Sequence, residues 1–162
     1  MESKDIKKLY SNEAIQIMNN AEDALDRNAD RIIELKNYAR TAGIKRIGIG
    51  HCMAVTNEAN RVKQFLSNEF DVTSVDCKCG KVSKMEMLGR EGNGLMCNPA
   101  GQAEILKQSN TELNISMGLC VGHDMIFNQC SHAPVTTLLV KDRKNKHNPM
   151  ESIKNINDEL TF

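Results

Sequence analysis

The sequence predicts an α/β fold: a doubly wound, mostly parallel sheet of about four strands, with helices on both faces and an N-terminal helical extension. Two observations carry this. Short apolar, partly β-branched runs at 44–50, 71–76, 113–119 and 135–141 alternate with helix-forming stretches. The order along the chain is α-α-β-α-β-loop-α-β-α-β-α, and same-direction strands need crossover helices of that kind.

The 162 residues suit one domain, residues 1–162, with 1–43 as the helical extension and 44–162 as the α/β core. Ala14, Ile17, Met18, Ala21, Ala24 and Leu25 recur at helical spacing. Asn28 is placed to cap a second helix carrying Ile32, Ile33, Leu35 and Ala39, and Gly43 to end it. The first strand holds Ile44, Ile47 and Ile49 and is followed by a helix with Val62, Phe65, Leu66 and Phe70 on one face. The second strand, DVTSVD, leads into residues 80–98, which read as irregular because Gly80, Gly89, Gly92 and Gly94 punctuate them. A loop of that length is a candidate for function. Asn98-Pro99 opens the next helix, with Asn at the N-cap and Pro at the first turn. A third strand, a helix over 122–129, a fourth strand after Pro134 and a last helix from Pro149 with Ile153, Ile156 and Leu160 complete the reading.

Composition excludes several classes. Lys and Arg number 21, Asp and Glu 21, so the net charge is zero, and a dedicated nucleic-acid binder needs a basic excess. Met1-Glu2-Ser3-Lys4-Asp5 is not an apolar leader, and the apolar run at 135–140 is too short to span a bilayer. A cytoplasmic protein with no membrane partner is expected. In that reducing compartment six Cys do not form a structural disulfide framework. The nine Met read as core filler, including Met53, Met96 and Met117 beside the cysteines.

The cysteines are not scattered. Cys52 follows the first strand, Cys77 the second, Cys120 ends the third, and Cys97 precedes the helix opened by Asn98-Pro99. Parallel strands bring their carboxyl ends to one edge, where ligand sites of open α/β sheets form. Helix N-termini favour the thiolate through their dipole and free N–H groups. Four thiolates suit an iron–sulfur cluster or a tetrahedral zinc site. Widely separated single cysteines surround a bulky cluster better than one ion, so 4Fe–4S is favoured and zinc is the alternative. Cys79 is an alternative ligand beside Cys77, and Cys130 reads as a packing residue.

Other polar groups fall near the same edge. His51 precedes Cys52 and has a structural role or a ligand role. His123 starts a helix after Cys120, and Lys141 and Arg143 follow the fourth strand. These three are the candidate catalytic groups, and the two bases suit a small anionic ligand. His132 reads as a plain loop residue. Gly48-Ile49-Gly50 lacks the third glycine of a dinucleotide fingerprint.

Four segments look familiar together: IGIGHC at 47–52, VDCK at 75–78, MCNPAGQA at 96–103 and GLCVGHD at 118–124. APVT at 133–136, VKDR at 140–143 and HNP at 147–149 continue the match. They resemble a family of small, functionally uncharacterised, predicted metal-binding proteins, found mainly in anaerobic bacteria and archaea. The resemblance covers about residues 30–150. It implies that Cys52, Cys77, Cys97 and Cys120 belong to the motif set, with His123 adjoining. Many members also carry a Cys-rich N-terminal segment; Met1–Ala14 here has no Cys.

The expected function is a metal-binding protein holding an iron–sulfur cluster, with a redox, electron-transfer or sensing role and a redox protein as partner. The alternatives are a cluster-dependent enzyme acting on a small anionic substrate, a zinc protein, or a metal-free thiol enzyme using Cys97 or Cys120. The sequence leaves the oligomeric state open.

Overall fold

The computed structural model describes residues 6–154 and Ile156. The chain forms two compact units, Met1–Ile44 and Lys45–Phe162.

In the first unit, α1 (Asn12–Asp23) packs on α2 (Arg31–Thr41). The Ser11 hydroxyl caps α1, accepting the Ala14 N–H at 3.0 Å. Asp30, not Asn28, caps α2: its carboxylate accepts the Ile32 and Ile33 N–H groups, each at 3.0 Å. Asn28 sits two residues too early and lies in a turn, its N–H donating to Asp26 Oδ1 at 2.9 Å. Gly43 takes the left-handed conformation that ends α2, with φ +69°.

The second unit is the sheet. In chain order its elements are β1 (Arg46–His51), α3 (Thr56–Leu66), β2 (Asp71–Asp76), α4 (Lys84–Leu88), α5 (Pro99–Gln108), β3 (Leu113–Met117), α6 (Val121–Cys130), β4 (Val135–Leu139) and α7 (Pro149–Lys154). All four strands are parallel, in the order β2-β1-β3-β4. The chain leaves β1 in one direction to β2, then returns past β1 to β3 and on to β4. Right-handed crossovers therefore put α3 on one face and α5 and α6 on the other.

The alternation of β1 fits those two faces. Ile47 and Ile49 are completely buried on the side where α3 packs. Gly48 and Gly50 face the other side, where α5 and α6 come close. A Cβ on Gly48 would stand 2.8 Å from Leu106 of α5, and one on Gly50 would stand 2.5 Å from the Phe127 ring of α6. The glycines let two helices approach the sheet directly, which a side chain would prevent.

Two expectations need correction. Residues 80–98 are not wholly irregular: α4 forms there, with Ser83 at its N-cap. The Ser83 N–H donates to Glu86 Oε2 at 2.8 Å, and Ser83 Oγ accepts the Glu86 N–H at 3.2 Å. That reciprocal pair is legible as Ser-x-x-Glu, and the run of glycines masked it. The methionines do not fill the core either. Among the described residues only Met117 is buried, because the sheet interior is filled by Ile, Leu, Val and Phe127. Helix α7 ends at Lys154, so Ile156 lies outside it, and Leu160 lies outside the described residues.

Candidate functional site

The sheet delivers four cysteines to its carboxyl edge. Cys52 and Cys77 are the first residues after β1 and β2. Cys97 directly precedes Asn98, the N-cap of α5, and Cys120 is the N-cap of α6. The strand order reverses between β1 and β3, the position at which such sheets open a ligand crevice. The Cys52 N–H donates to the Met117 carbonyl at 3.0 Å and ties the two strand ends together there.

Cys52, Cys77, Cys79 and Cys97 pack into one cluster with Ala103, Leu106 and Phe127. Cys77 is buried and the other three are half-buried. The Cys77 thiol lies against both Cys52 and Cys97. Burial, and then the neighbouring Cys97 and Cys52 sulfurs, push its pKa up to about 12. The Met53 N–H, 3.4 Å from Cys77 Sγ, opposes that shift. Cys52 moves the other way. Burial would raise it, but the Ala54 N–H at 3.5 Å, the Lys141 ammonium and the Cys77 thiol together hold it below the ordinary thiol value. Cys77 thus keeps its proton between two sulfurs, and Cys52 gives up its proton more readily than Cys77 does.

Cys79 is set differently. Burial and the Asp76 carboxylate raise its pKa, and its thiol donates to the Asn98 carbonyl at 3.6 Å. Cys120 stands apart from the buried cluster, with Arg143 Nη2 3.3 Å from its sulfur. Cys130 is exposed at the end of α6; it is not the packing residue the sequence suggested.

Lys141 and Arg143 come from the loop after β4. Asp142 shapes that loop, accepting the Lys144 and Asn145 N–H groups at 3.0 Å each and the Asn145 side chain at 2.9 Å. Its N–H donates to His147 Nδ1 at 3.2 Å. The two bases flanking Asp142 are thereby turned onto Cys52 and Cys120. His123 lies half-buried in the first turn of α6. His51 is buried in β1, its Nδ1 3.1 Å from the Cys52 carbonyl. His132 Nε2 lies 2.8 Å from the Thr111 carbonyl, a structural contact.

Two residues hold the thiols in place: Asn98, which caps α5 as the sequence predicts and also ties down the Cys77 and Cys79 carbonyls, and Gln102. The Asn98 N–H donates to the Cys77 carbonyl at 2.8 Å, and its side chain donates to the Cys79 carbonyl at 3.3 Å. Asn98 Oδ1 accepts the Gly101 N–H at 2.9 Å. A Cβ on Gly101 would collide with that side chain, 2.6 Å from Asn98 Cγ. Gln102 is completely buried, and its Nε2 donates to the carbonyls of His51 at 3.0 Å and Val75 at 2.8 Å. Asn98-Pro99-Ala100-Gly101-Gln102 is therefore a clamp between α5 and the ends of β1 and β2. The segment belongs to the MCNPAGQA motif, in which Gln102 reads only as a polar residue on a helix.

Among the described residues, no three His, Cys, Asp or Glu side chains stand where they could hold a single metal ion. A cleft of about 150 Å³ opens beside Lys141, lined by Leu119, Val121, Met125, Thr137 and Val140. Among the described residues, no helix is long and apolar enough to cross a membrane.

The family described as "Protein of unknown function (DUF1847)" matches residues 2–138. The chain belongs to the DUF1847 family. Over 127 residues it is 43% identical to "Uncharacterized protein MJ0455" of Methanocaldococcus jannaschii, a stretch covering 76% of this chain and 66% of that relative. No solved structure matches. All six cysteines of this DUF1847 chain fall within the matched residues, while Lys141 and Arg143 lie just beyond them.

Proposed function

We propose that this chain holds an iron–sulfur cluster of the 4Fe–4S type through Cys52, Cys77, Cys97 and Cys120, and serves in electron transfer or redox sensing. The observation that carries this is the Cys77 thiol, buried between Cys52 and Cys97. Burial first, and then the adjoining Cys97 and Cys52 sulfurs, raise the Cys77 pKa to about 12, so it keeps its proton unaided. A coordinated cation removes that proton, because a ligating thiol is deprotonated outright. Such a cluster, when bound, supplies one-electron exchange.

The chain's own groups suit that role. The Met53 and Ala54 N–H groups point at the Cys77 and Cys52 sulfurs. Hydrogen bonds to sulfur and the charge nearby set a cluster's potential. Lys141 offsets negative charge at Cys52, and Arg143 does so at Cys120. The donor set is also spread over four separate chain segments. A single zinc ion, which needs four donors at about 2.3 Å around one point, is the alternative occupant. Cys79, held by the Asn98 carbonyl, is the weaker candidate ligand.

One observation favours a second reading. Cys52, its pKa lowered, ionises before the adjacent Cys77, which keeps its proton, as in a dithiol reductant. The Cys52 thiolate would attack a substrate disulfide and release one sulfur as a thiolate. Cys77, giving up its proton, would then attack Cys52 and release the other. The chain would end with a Cys52–Cys77 disulfide and the substrate with two thiols.

Anaerobic reconstitution of Cys→Ser variants with ferrous iron and sulfide separates the two. The cluster reading predicts that Cys52→Ser, Cys77→Ser, Cys97→Ser and Cys120→Ser each lose visible absorbance and bound iron, while Cys130→Ser loads as the parent does. Equal loading of all variants contradicts it. A chain that takes no iron but cycles a Cys52–Cys77 disulfide with a small-molecule disulfide supports the second reading.

A further inference from the structure

The two outer strands of the sheet are β2 and β4. The loops that follow them flank the cysteines from opposite sides, and both are basic. Residues 77–98 carry Lys78, Lys81, Lys84 and Arg90 against Glu86 and Glu91. Residues 140–148 carry Lys141, Arg143, Lys144 and Lys146 against Asp142. The excess is two charges in the first loop and three in the second, in a chain whose net charge is zero. Asp76 at the end of β2 and Asp124 on α6 reduce that excess without cancelling it.

Between the basic loops the surface is apolar. Met53 is 57% exposed, Val121 73%, Met125 64% and Val140 50%, each far above what packing in the sheet would leave. Met53 and Val121 directly follow Cys52 and Cys120. Val121, Met125 and Val140 line the cleft beside Lys141, so this patch is concave. An apolar centre, with Asp124 at the cleft wall, flanked by loops of net basic charge is the anatomy of a protein-docking face.

We infer that this edge docks a small acidic protein, whose carboxylates meet the two basic loops and whose apolar centre covers Met53, Val121 and Val140. The apolar centre favours a protein over a nucleic acid, which offers phosphates and no apolar patch to match. The chemistry fits an acidic electron carrier. What crosses the interface rests on the redox reading above; the docking itself does not.

Binding of a small acidic ferredoxin, measured by titration calorimetry, tests the inference on both the metal-free and the iron-loaded protein. Cytochrome c, double-stranded DNA and anionic vesicles serve as comparison probes. The inference predicts that the ferredoxin binds both forms and that affinity falls from low to physiological salt. The Lys81→Glu/Lys84→Glu and Lys144→Glu/Lys146→Glu pairs should each weaken binding about tenfold. Those side chains are exposed, and an unchanged melting temperature confirms the variants fold. Absence of ferredoxin binding, unchanged binding by both reversal pairs, or tighter binding to any comparison probe overturns it. Docking without iron uptake would sink the cluster reading alone; iron uptake without docking would sink this inference alone.

Discussion

Gln102 reaches from α5 to the last residue of β1, its Nε2 donating to the His51 carbonyl at 3.0 Å. The same nitrogen donates to Val75 at 2.8 Å, so one buried amide fixes the spacing of the chain ends that carry Cys52 and Cys77. Replacing Gln102 by Ala removes both bonds and leaves a void, at a cost of about 2–4 kcal/mol. Gln102→Glu should cost more, because a carboxylate would face two carbonyls. Denaturant unfolding measures the first effect, and iron uptake of the folded fraction shows whether the thiol spacing was lost.

Gly50 is constrained by the Phe127 ring. Gly50→Ala forces its methyl to within 2.5 Å of that ring, so α6 must shift. The expected destabilisation is about 1–3 kcal/mol. Adding Phe127→Leu should recover part of it despite its own cost. A double-mutant cycle in urea with no coupling between the two positions would show that the contact is not what excludes the methyl.

Cys52 should react before Cys77 and Cys79 in the metal-free chain. Iodoacetamide near neutral pH, followed by peptide mass spectrometry, should label Cys52 before Cys77 and Cys79. Lys141→Ala removes the favourable charge and should slow Cys52 labelling several-fold, about one order of magnitude at most, while Lys141→Arg retains it. Equal rates in the parent and Lys141→Ala would remove Lys141 from the account.

Alkaline pH should weaken the metal-free fold through Cys77. Its folded pKa, about 12, lies above that of an unfolded thiol. Between those values the folded state holds a proton that the unfolded state has lost. Stability is therefore full below the unfolded value and falls as pH rises toward 12, by up to about 1.4 kcal/mol per pH unit. Cys77→Ala should flatten that slope, measured by denaturation at stepped pH. A slope unchanged by the substitution contradicts the assignment.

The sheet was legible because its strands are short β-branched or apolar runs bounded by polar and glycine residues. The second strand, DVTSVD, matches β2 residue for residue, and the other three differ at their ends. The carboxyl-edge placement of Cys52, Cys77, Cys97 and Cys120 followed from strand direction alone. Contacts between segments distant in sequence were not legible. Nothing in the spacing says that Lys141, beyond the far strand, reaches Cys52, or that Gln102 joins β1 to β2. Asp30 displaced Asn28 as a cap because capping depends on one residue's register. The short helix α4 was hidden by glycines on its far side, although Ser83 and Glu86 signalled it.

The most direct measurement is the iron, acid-labile sulfide and zinc content of the protein purified without oxygen, read with its visible spectrum. The account predicts a brown protein with iron and sulfide in near-equal amounts and a broad absorbance that fades on exposure to air. A colourless protein carrying stoichiometric zinc, or no metal with all thiols open to labelling, would contradict it.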